Sequence, residues 1–203
     1  MLKRYLEPNG NARLSPSDVL RILEEQRPGF SLDAKFYNSQ VMYDIEMDLL
    51  FGQHWIFIGP SAAVPEPGDY TVVEFGPYSM IVIRDDDMTV RAFHNVCRHR
   101  GARMLSGSGT TGNIVCPYHQ WTYNGEGNLI HCEDETLDKS CYGLKAIHLR
   151  NVFVLLYVCF AERPPEDFAE METVIGPYLA PHDLDNAKIA AQIDLVEEGN
   201  WKI

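Results

Sequence analysis

Four residues in two short segments have the types and spacing for chemistry. Cys97 and His99 lie in Asn95-Val96-Cys97-Arg98-His99-Arg100-Gly101-Ala102, and Cys116 and His119 in Cys116-Pro117-Tyr118-His119-Gln120-Trp121. Sixteen residues separate His99 from Cys116. Each segment pairs one thiol with one imidazole. Two thiolates can take one iron and two imidazoles another, which is the donor set of a 2Fe–2S cluster with histidines in place of two of its four cysteines. Neutral imidazoles leave less negative charge on such a cluster, so it reduces more easily; potentials span about −150 to +300 mV. The same four residue types also satisfy zinc. Zinc fingers, however, pair cysteine with cysteine and histidine with histidine, whereas each pair here is mixed. An electron-carrying cluster is therefore expected. A zinc-stabilised interaction module is the alternative, separable by metal analysis and colour.

The elements that must hold these loops are legible in the flanking pattern. Residues 70–75, 80–83 and 89–93 are β-branched or aromatic runs, separated by turns at Gly76-Pro77 and Asp85-Asp86-Asp87. Residues 121–123 and Leu129-Ile130 flank Asn124-Gly125-Glu126-Gly127 and predict a hairpin with an Asn-Gly turn. Residues 151–160 read as one apolar strand, 165–179 as a short helix, and 187–196 as a further strand. Upstream, Ser15-Pro16-Ser17-Asp18 has the form of a capping box with proline at the first helical position. The helix it opens runs through Val19, Leu20, Ile22 and Leu23 and ends near Arg27-Pro28-Gly29. A second is expected over 40–51, from Val41, Ile45 and Leu49. Regular strand spacing between 68 and 160 argues for an antiparallel β-sandwich or partial barrel, so the fold class expected is mainly β with minor α. Three parts follow: residues 1–56 as an N-terminal helical segment, 57–162 as the cluster domain, and 163–203 as a linker helix and strand.

Composition limits the rest. The 203 residues, 45% hydrophobic, suffice for one good core. No apolar run reaches about 18 residues and the N-terminus lacks secretory features, so neither a membrane span nor a signal is expected. The formal charge of −12 argues against nucleic acid as a partner. Five cysteines form no regular framework, and a soluble cytoplasmic protein is the default. Cys132 and Cys141 could approach each other, but a reducing compartment disfavours a bridge; Cys159, in an apolar run, reads as core. His94 reads as structural, and His182 with Asp183 and Asp185 as a solvated turn.

Cys97-Arg98-His99-Arg100-Gly101 and Cys116-Pro117-Tyr118-His119-Gln120-Trp121-Thr122-Tyr123 resemble the two cluster loops of Rieske non-heme iron oxygenases, in the alpha subunit. The likeness extends from Gly29-Phe30-Ser31-Leu32 through Trp55 and Gly68-Asp69-Tyr70 to Asn200-Trp201-Lys202. It implies that Cys97 and Cys116 bind one iron, and His99 and His119 the other. Rieske proteins of cytochrome bc complexes add a disulfide between the two loops; the corresponding positions here are Ala102 and Tyr118, which cannot form one. Those proteins also place a serine donor where this chain has Trp121. Fewer hydrogen bonds to sulfur imply a low potential, suited to electrons from an NAD(P)H-dependent flavin or iron–sulfur reductase, or a ferredoxin.

Family members carry a second domain with a mononuclear Fe(II), held by two histidines and one carboxylate, for O2-dependent hydroxylation. Asn200-Trp201-Lys202 resembles the start of that domain, so the chain is expected to be a relay portion that turns over no substrate alone. A free-standing Rieske ferredoxin is the alternative; the helical segments before the strands favour the oxygenase. The likeness also implies a trimer in which one subunit's cluster serves the next subunit's iron, with an exposed edge on His99 or His119. Arg27-Pro28-Gly29-Phe30-Ser31-Leu32, Phe36-Tyr37 and Tyr118-His119-Gln120-Trp121 are similar to oxygenases that demethylate quaternary ammonium compounds. Arg98, Arg100 and Arg103 are read as tying the loops to carboxylates, or else as docking an acidic reductase. Trp121 and Tyr123 are placed behind the cluster, and Tyr118 toward a cysteine sulfur or a neighbouring subunit.

Overall fold

The computed structural model describes residues 16–166, 168–193 and 195–203. The Ser15 end of the expected capping box lies outside them. Two compact units are present: one joins the described residues up to Gly52 with those of Gln192–Ile203, and the other is Gln53–Ala191.

The larger unit is built on antiparallel strands. They are β1 (Ile56–Pro60), β2 (Asp69–Phe75), β3 (Tyr78–Arg84), β4 (Val90–His94), β5 (Ser108–Thr110), β6 (Ile114–Val115), β7 (Thr122–Tyr123), β8 (Leu129–His131), β9 (Ala146–Val152) and β10 (Leu155–Cys159). Seven form one sheet in the order β1-β10-β9-β4-β3-β2-β5, and β6-β7-β8 form a second. The mainly β, sandwich-like class expected is the one observed. Met80, Ile81, Val82 and Ile83 are at most 2% exposed because β3 is central, with a core against each face. Strand alternation sorts the side chains. Ile81, Ile83 and Phe93 face a core that contains Cys97, Cys116 and residues of the small sheet. Met80, Val82 and Ala92 face another, with Ile147, Leu156 and Val158.

Helix α4 (Phe168–Leu179), the fourth in chain order, is anchored to this unit by its first residue. Phe168 is buried, with ring centroids 4.8 Å from Trp55 and 5.1 Å from Tyr157. Trp55 Nε1 donates to Pro165 O at 3.2 Å. The compact unit thus runs past residue 162, where the sequence suggested a boundary.

Three local features correct the expectation. Residues 151–160 are a hairpin junction rather than one strand: β9 ends at Val152, β10 begins at Leu155, and the two pair directly. The turn residues Phe153 and Val154 have φ of 48° and 65°. Such a two-residue turn normally signals itself through Asn or Gly. Here tertiary contacts hold it, with Ser61 N–H donating to Val154 O at 2.7 Å and the Phe153 ring against Gly176. The second feature is the β7–β8 turn. Its left-handed residue is Gly127 (φ 83°), and Gly127 N–H donates to Asn124 O at 3.0 Å. The pairing shifts register between Thr122 and Tyr123, so the connection is bulged and longer than an Asn-Gly turn. Third, the described residues of 187–196 form no strand. A strand exists through ladder bonds to a neighbour, and this stretch has none; Ile193, Leu195 and Val196 are at least 80% exposed.

The smaller unit contains α1 (Pro16–Glu24), α2 (Lys35–Asn38) and α3 (Gln40–Glu46), which continues as a π-helical turn over Met47–Phe51. Ile22, Phe36 and Met42 make its core. Asn200-Trp201-Lys202 is fastened onto these helices. Lys202 Nζ lies 2.6 and 2.8 Å from the two Glu46 carboxylate oxygens, Trp201 Nε1 donates to the same carboxylate at 2.9 Å, and Asn200 Nδ2 donates to Tyr37 O at 2.8 Å. Among the described residues no helix is long and apolar enough to cross a membrane.

Candidate metal centre

Cys97 follows β4, and Cys116 stands between β6 and β7. Each cysteine closes the same hydrogen-bonded turn. Cys97 N–H donates to Ala102 O at 2.8 Å while Gly101 N–H donates to Cys97 O at 3.0 Å. Cys116 N–H donates to Trp121 O at 2.9 Å while Gln120 N–H donates to Cys116 O at 3.0 Å. Both turns need a left-handed residue four positions past the cysteine, and these are Gly101 (φ 74°) and Gln120 (φ 58°). The repeat is hidden in the sequence because the histidine stands two residues past Cys97 but three past Cys116.

The first turn is held from below by Asn95, which is fully buried. Its Nδ2 donates to Ser79 Oγ at 3.1 Å and Leu105 O at 2.8 Å, and its Oδ1 accepts from Met104 N–H at 3.0 Å and Leu105 N–H at 3.1 Å. One side chain thus ties β3 to both ends of the loop. Ser79 Oγ in turn donates to Glu74 Oε1 at 2.8 Å, and Arg103 pairs with that carboxylate. Sequence reasoning had no signal for Asn95 beyond its position two residues before Cys97.

Both thiols point inward and both imidazoles outward. Cys97 and Cys116 are 3% and 2% exposed, His99 is exposed and His119 is half-buried. The imidazole centroids lie 4.8 Å apart with the rings at 66°. His99 stacks on Trp121, centroids 4.7 Å apart and planes within 5°, and Tyr142 meets that indole edge-on at 5.6 Å. Tyr118 lies 3.8 Å from His119, with the Arg100 guanidinium 5.5 Å from its own ring centroid. Tyr118 is therefore a surface ring over His119 and does not reach a sulfur. Tyr123 does: its hydroxyl is 3.4 Å from Cys97 Sγ, where either atom can donate, and accepts from Arg98 N–H at 3.1 Å; toward an iron-bound thiolate, which carries no proton, the hydroxyl would be the donor. Reading Tyr123 as packing alone missed this donor. Burial pushes the Tyr123 hydroxyl well above the usual phenol range, so it stays protonated.

The remaining singled-out residues resolve plainly. Of the three arginines, Arg103 is tied to a carboxylate and Arg100 to a ring, while Arg98 Nε is buried without a hydrogen-bond partner. Cys132 is buried and donates to Asp134 O at 3.2 Å, Cys141 is exposed, and Cys159 is in the core. Asp85 and Asp87 accept from Arg91 in their turn.

The four candidate ligands fit a two-iron cluster. Both thiols lie on the buried side, and the two imidazole centroids lie 4.8 Å apart on the outer side. A 2Fe–2S cluster asks each iron for only two side chains, so paired thiols behind paired imidazoles suffice. The unmet donor on Arg98, between two of the candidate ligands, is the kind of buried group that a missing acceptor explains.

Residues 54–142 match the family described as the Rieske [2Fe-2S] domain. The chain belongs to the Rieske oxygenase alpha-subunit type. It is 39% identical to the glycine betaine monooxygenase oxygenase subunit of Chromohalobacter salexigens, over 97% of this chain and 44% of that protein. It is 34% identical to the carnitine monooxygenase oxygenase subunit of Escherichia coli K12, over 94% of this chain and 53% of that protein. The chain thus spans about half the length of these relatives. Among solved structures, a quaternary ammonium Rieske monooxygenase superposes with a TM-score of 0.64 at 28% identity, over 70% of this chain and 43% of that one. Naphthalene 1,2-dioxygenase from a Rhodococcus species gives 0.67 at 28% identity, over 74% and 37%. The Rieske domain implies a 2Fe–2S cluster and an electron-transfer role.

Proposed function

We propose that Cys97 and Cys116 hold one iron and His99 and His119 the other, and that the chain is the electron-relay portion of a Rieske oxygenase subunit. The observation that carries this reading is the pair of like-built turns, which bury both thiols and turn both imidazoles outward. When bound, the cluster supplies a centre that gains and loses one electron at a time. The chain's residues set its conditions. The buried core around Cys97 and Cys116 excludes water from the sulfur side. Tyr123 donates to Cys97 Sγ, Asn95 fixes the loop, and Trp121 fixes the plane of His99. The exposed edge of His99 offers a short route for an electron to a partner.

In the parent protein the donor would be an NAD(P)H-dependent reductase or a ferredoxin. The acceptor would be a mononuclear iron held outside this sequence, reached across a trimer interface. The likeness to betaine and carnitine monooxygenase subunits favours a quaternary ammonium substrate, N-demethylated after O2-dependent hydroxylation. The test is an EPR spectrum of the dithionite-reduced protein with iron and acid-labile sulfide assays. A rhombic signal of a histidine-ligated cluster, with two irons and two sulfides per chain, supports the reading. Zinc in place of iron, with no signal, refutes it and leaves a structural module.

A further inference from the structure

We infer that Arg98 is a tuning residue of the centre, its Nε–H donating to a sulfur of the bound cluster. This rests on the cluster reading above. Among the described residues, Arg98 Nε is a buried side-chain nitrogen with no hydrogen-bond partner. Native interiors satisfy nearly all such donors. Its place in the chain narrows the missing acceptor. Arg98 stands between Cys97 and His99, and its backbone N–H is held by the Tyr123 hydroxyl, which also contacts Cys97 Sγ. The peptide at this position is therefore pinned beside the sulfur site. Neighbouring arginines have found other partners, Arg103 in Glu74 and Arg100 in the Tyr118 ring. Arg98 Nε has none, and the acceptors that the filled site would add are anionic sulfurs. Reduction adds negative charge to those sulfurs, which strengthens a cationic N–H···S bond and favours the reduced form. Arg98 thus raises the potential that the loss of the serine donor at the Trp121 position lowers.

The experiment uses the cluster-loaded protein labelled with arginine carrying 15N at Nε. Pulsed EPR of the reduced state should show one weak 15N coupling and, beyond the exchangeable protons of the Tyr123 hydroxyl and the His99 and His119 rings, one further strongly coupled proton that exchanges in D2O. Two variants separate donor from charge. Arg98→Lys keeps the charge but puts carbon where Nε stood; Arg98→Gln keeps a nitrogen donor there and drops the charge. Arg98→Lys should lose that further proton and shift the midpoint potential negative, while Arg98→Gln should keep the proton. An intact rhombic signal without either coupling in the labelled wild type would overturn the inference alone, even where a variant fails to load. So would wild-type potential and proton coupling in Arg98→Lys. Absence of any rhombic signal would overturn the cluster reading and this inference with it.

Discussion

Replacing Tyr123 by Phe removes one oxygen that the candidate centre uses twice. In the native protein Arg98 N–H donates to that oxygen at 3.1 Å, and toward an iron-bound Cys97 thiolate, its Sγ 3.4 Å away, the hydroxyl is the donor. Tyr123 is fully buried, so no water takes over the bond. A neutral hydrogen bond is worth about 0.5–1.5 kcal/mol and one to a charged group about 1.5–3 kcal/mol. Adding an electron moves the O–H···S contact toward the stronger class, so the reduced form gains about 1 kcal/mol more from it than the oxidised form. For a one-electron couple, 59 mV is a tenfold change, or about 1.4 kcal/mol, so the variant's midpoint potential should fall by about 40 mV. Stability should fall too, by about 1–3 kcal/mol, because the Arg98 amide loses its acceptor. Spectroelectrochemical titration of the cluster-loaded protein reads the first effect and urea unfolding the second. A potential that stays put or rises, with the cluster fully loaded, would refute the reasoning that Tyr123 favours the reduced centre.

Asn95→Ala deletes four hydrogen bonds and strands the Met104 and Leu105 amides. We expect a loss of about 2–4 kcal/mol in urea unfolding with faster iron loss, and a loss under about 1 kcal/mol would contradict the role given to Asn95. Gly101→Ala should cost about 1–2 kcal/mol from left-handed backbone alone, since a Cβ there meets nothing within 4 Å. Gln120→Gly should be neutral or slightly stabilising, and a clear loss of melting temperature would mean that the Gln120 side chain does more than fill a turn. In the smaller unit, Lys202 and Glu46 are 11% and 12% exposed. Lys202→Met should strip hydrogen-exchange protection from α3 at a cost of about 3–5 kcal/mol, and adding Glu46→Gln should restore part of it. Equal protection in the wild type and the single variant would show the ion pair to be idle.

Local chemistry made the candidate ligands legible. Metal donors are few residue types, and two loops must each present them at short spacing, so Cys97, His99, Cys116 and His119 stand out without any knowledge of the fold. The cores of β2, β3 and β4 and helix α4 are legible for a similar reason, since period and turn residues are local signals. Where a turn depends on distant contacts, the signal fails. Phe153-Val154 carries no Asn or Gly, and only Ser61 and Gly176 explain its left-handed backbone. Residues 187–196 have strand-like composition, but no strand forms without a partner to pair with. The same limit applies at the centre itself. The sequence alone determined which atoms are suited to holding the metal. Tertiary structure decided what surrounds them: Asn95 meeting Ser79 sixteen residues away, Tyr123 meeting Cys97 twenty-six residues away, and Trp121 lying flat on His99. Such contacts obey no spacing rule, because the sheet and not the chain brings their members together.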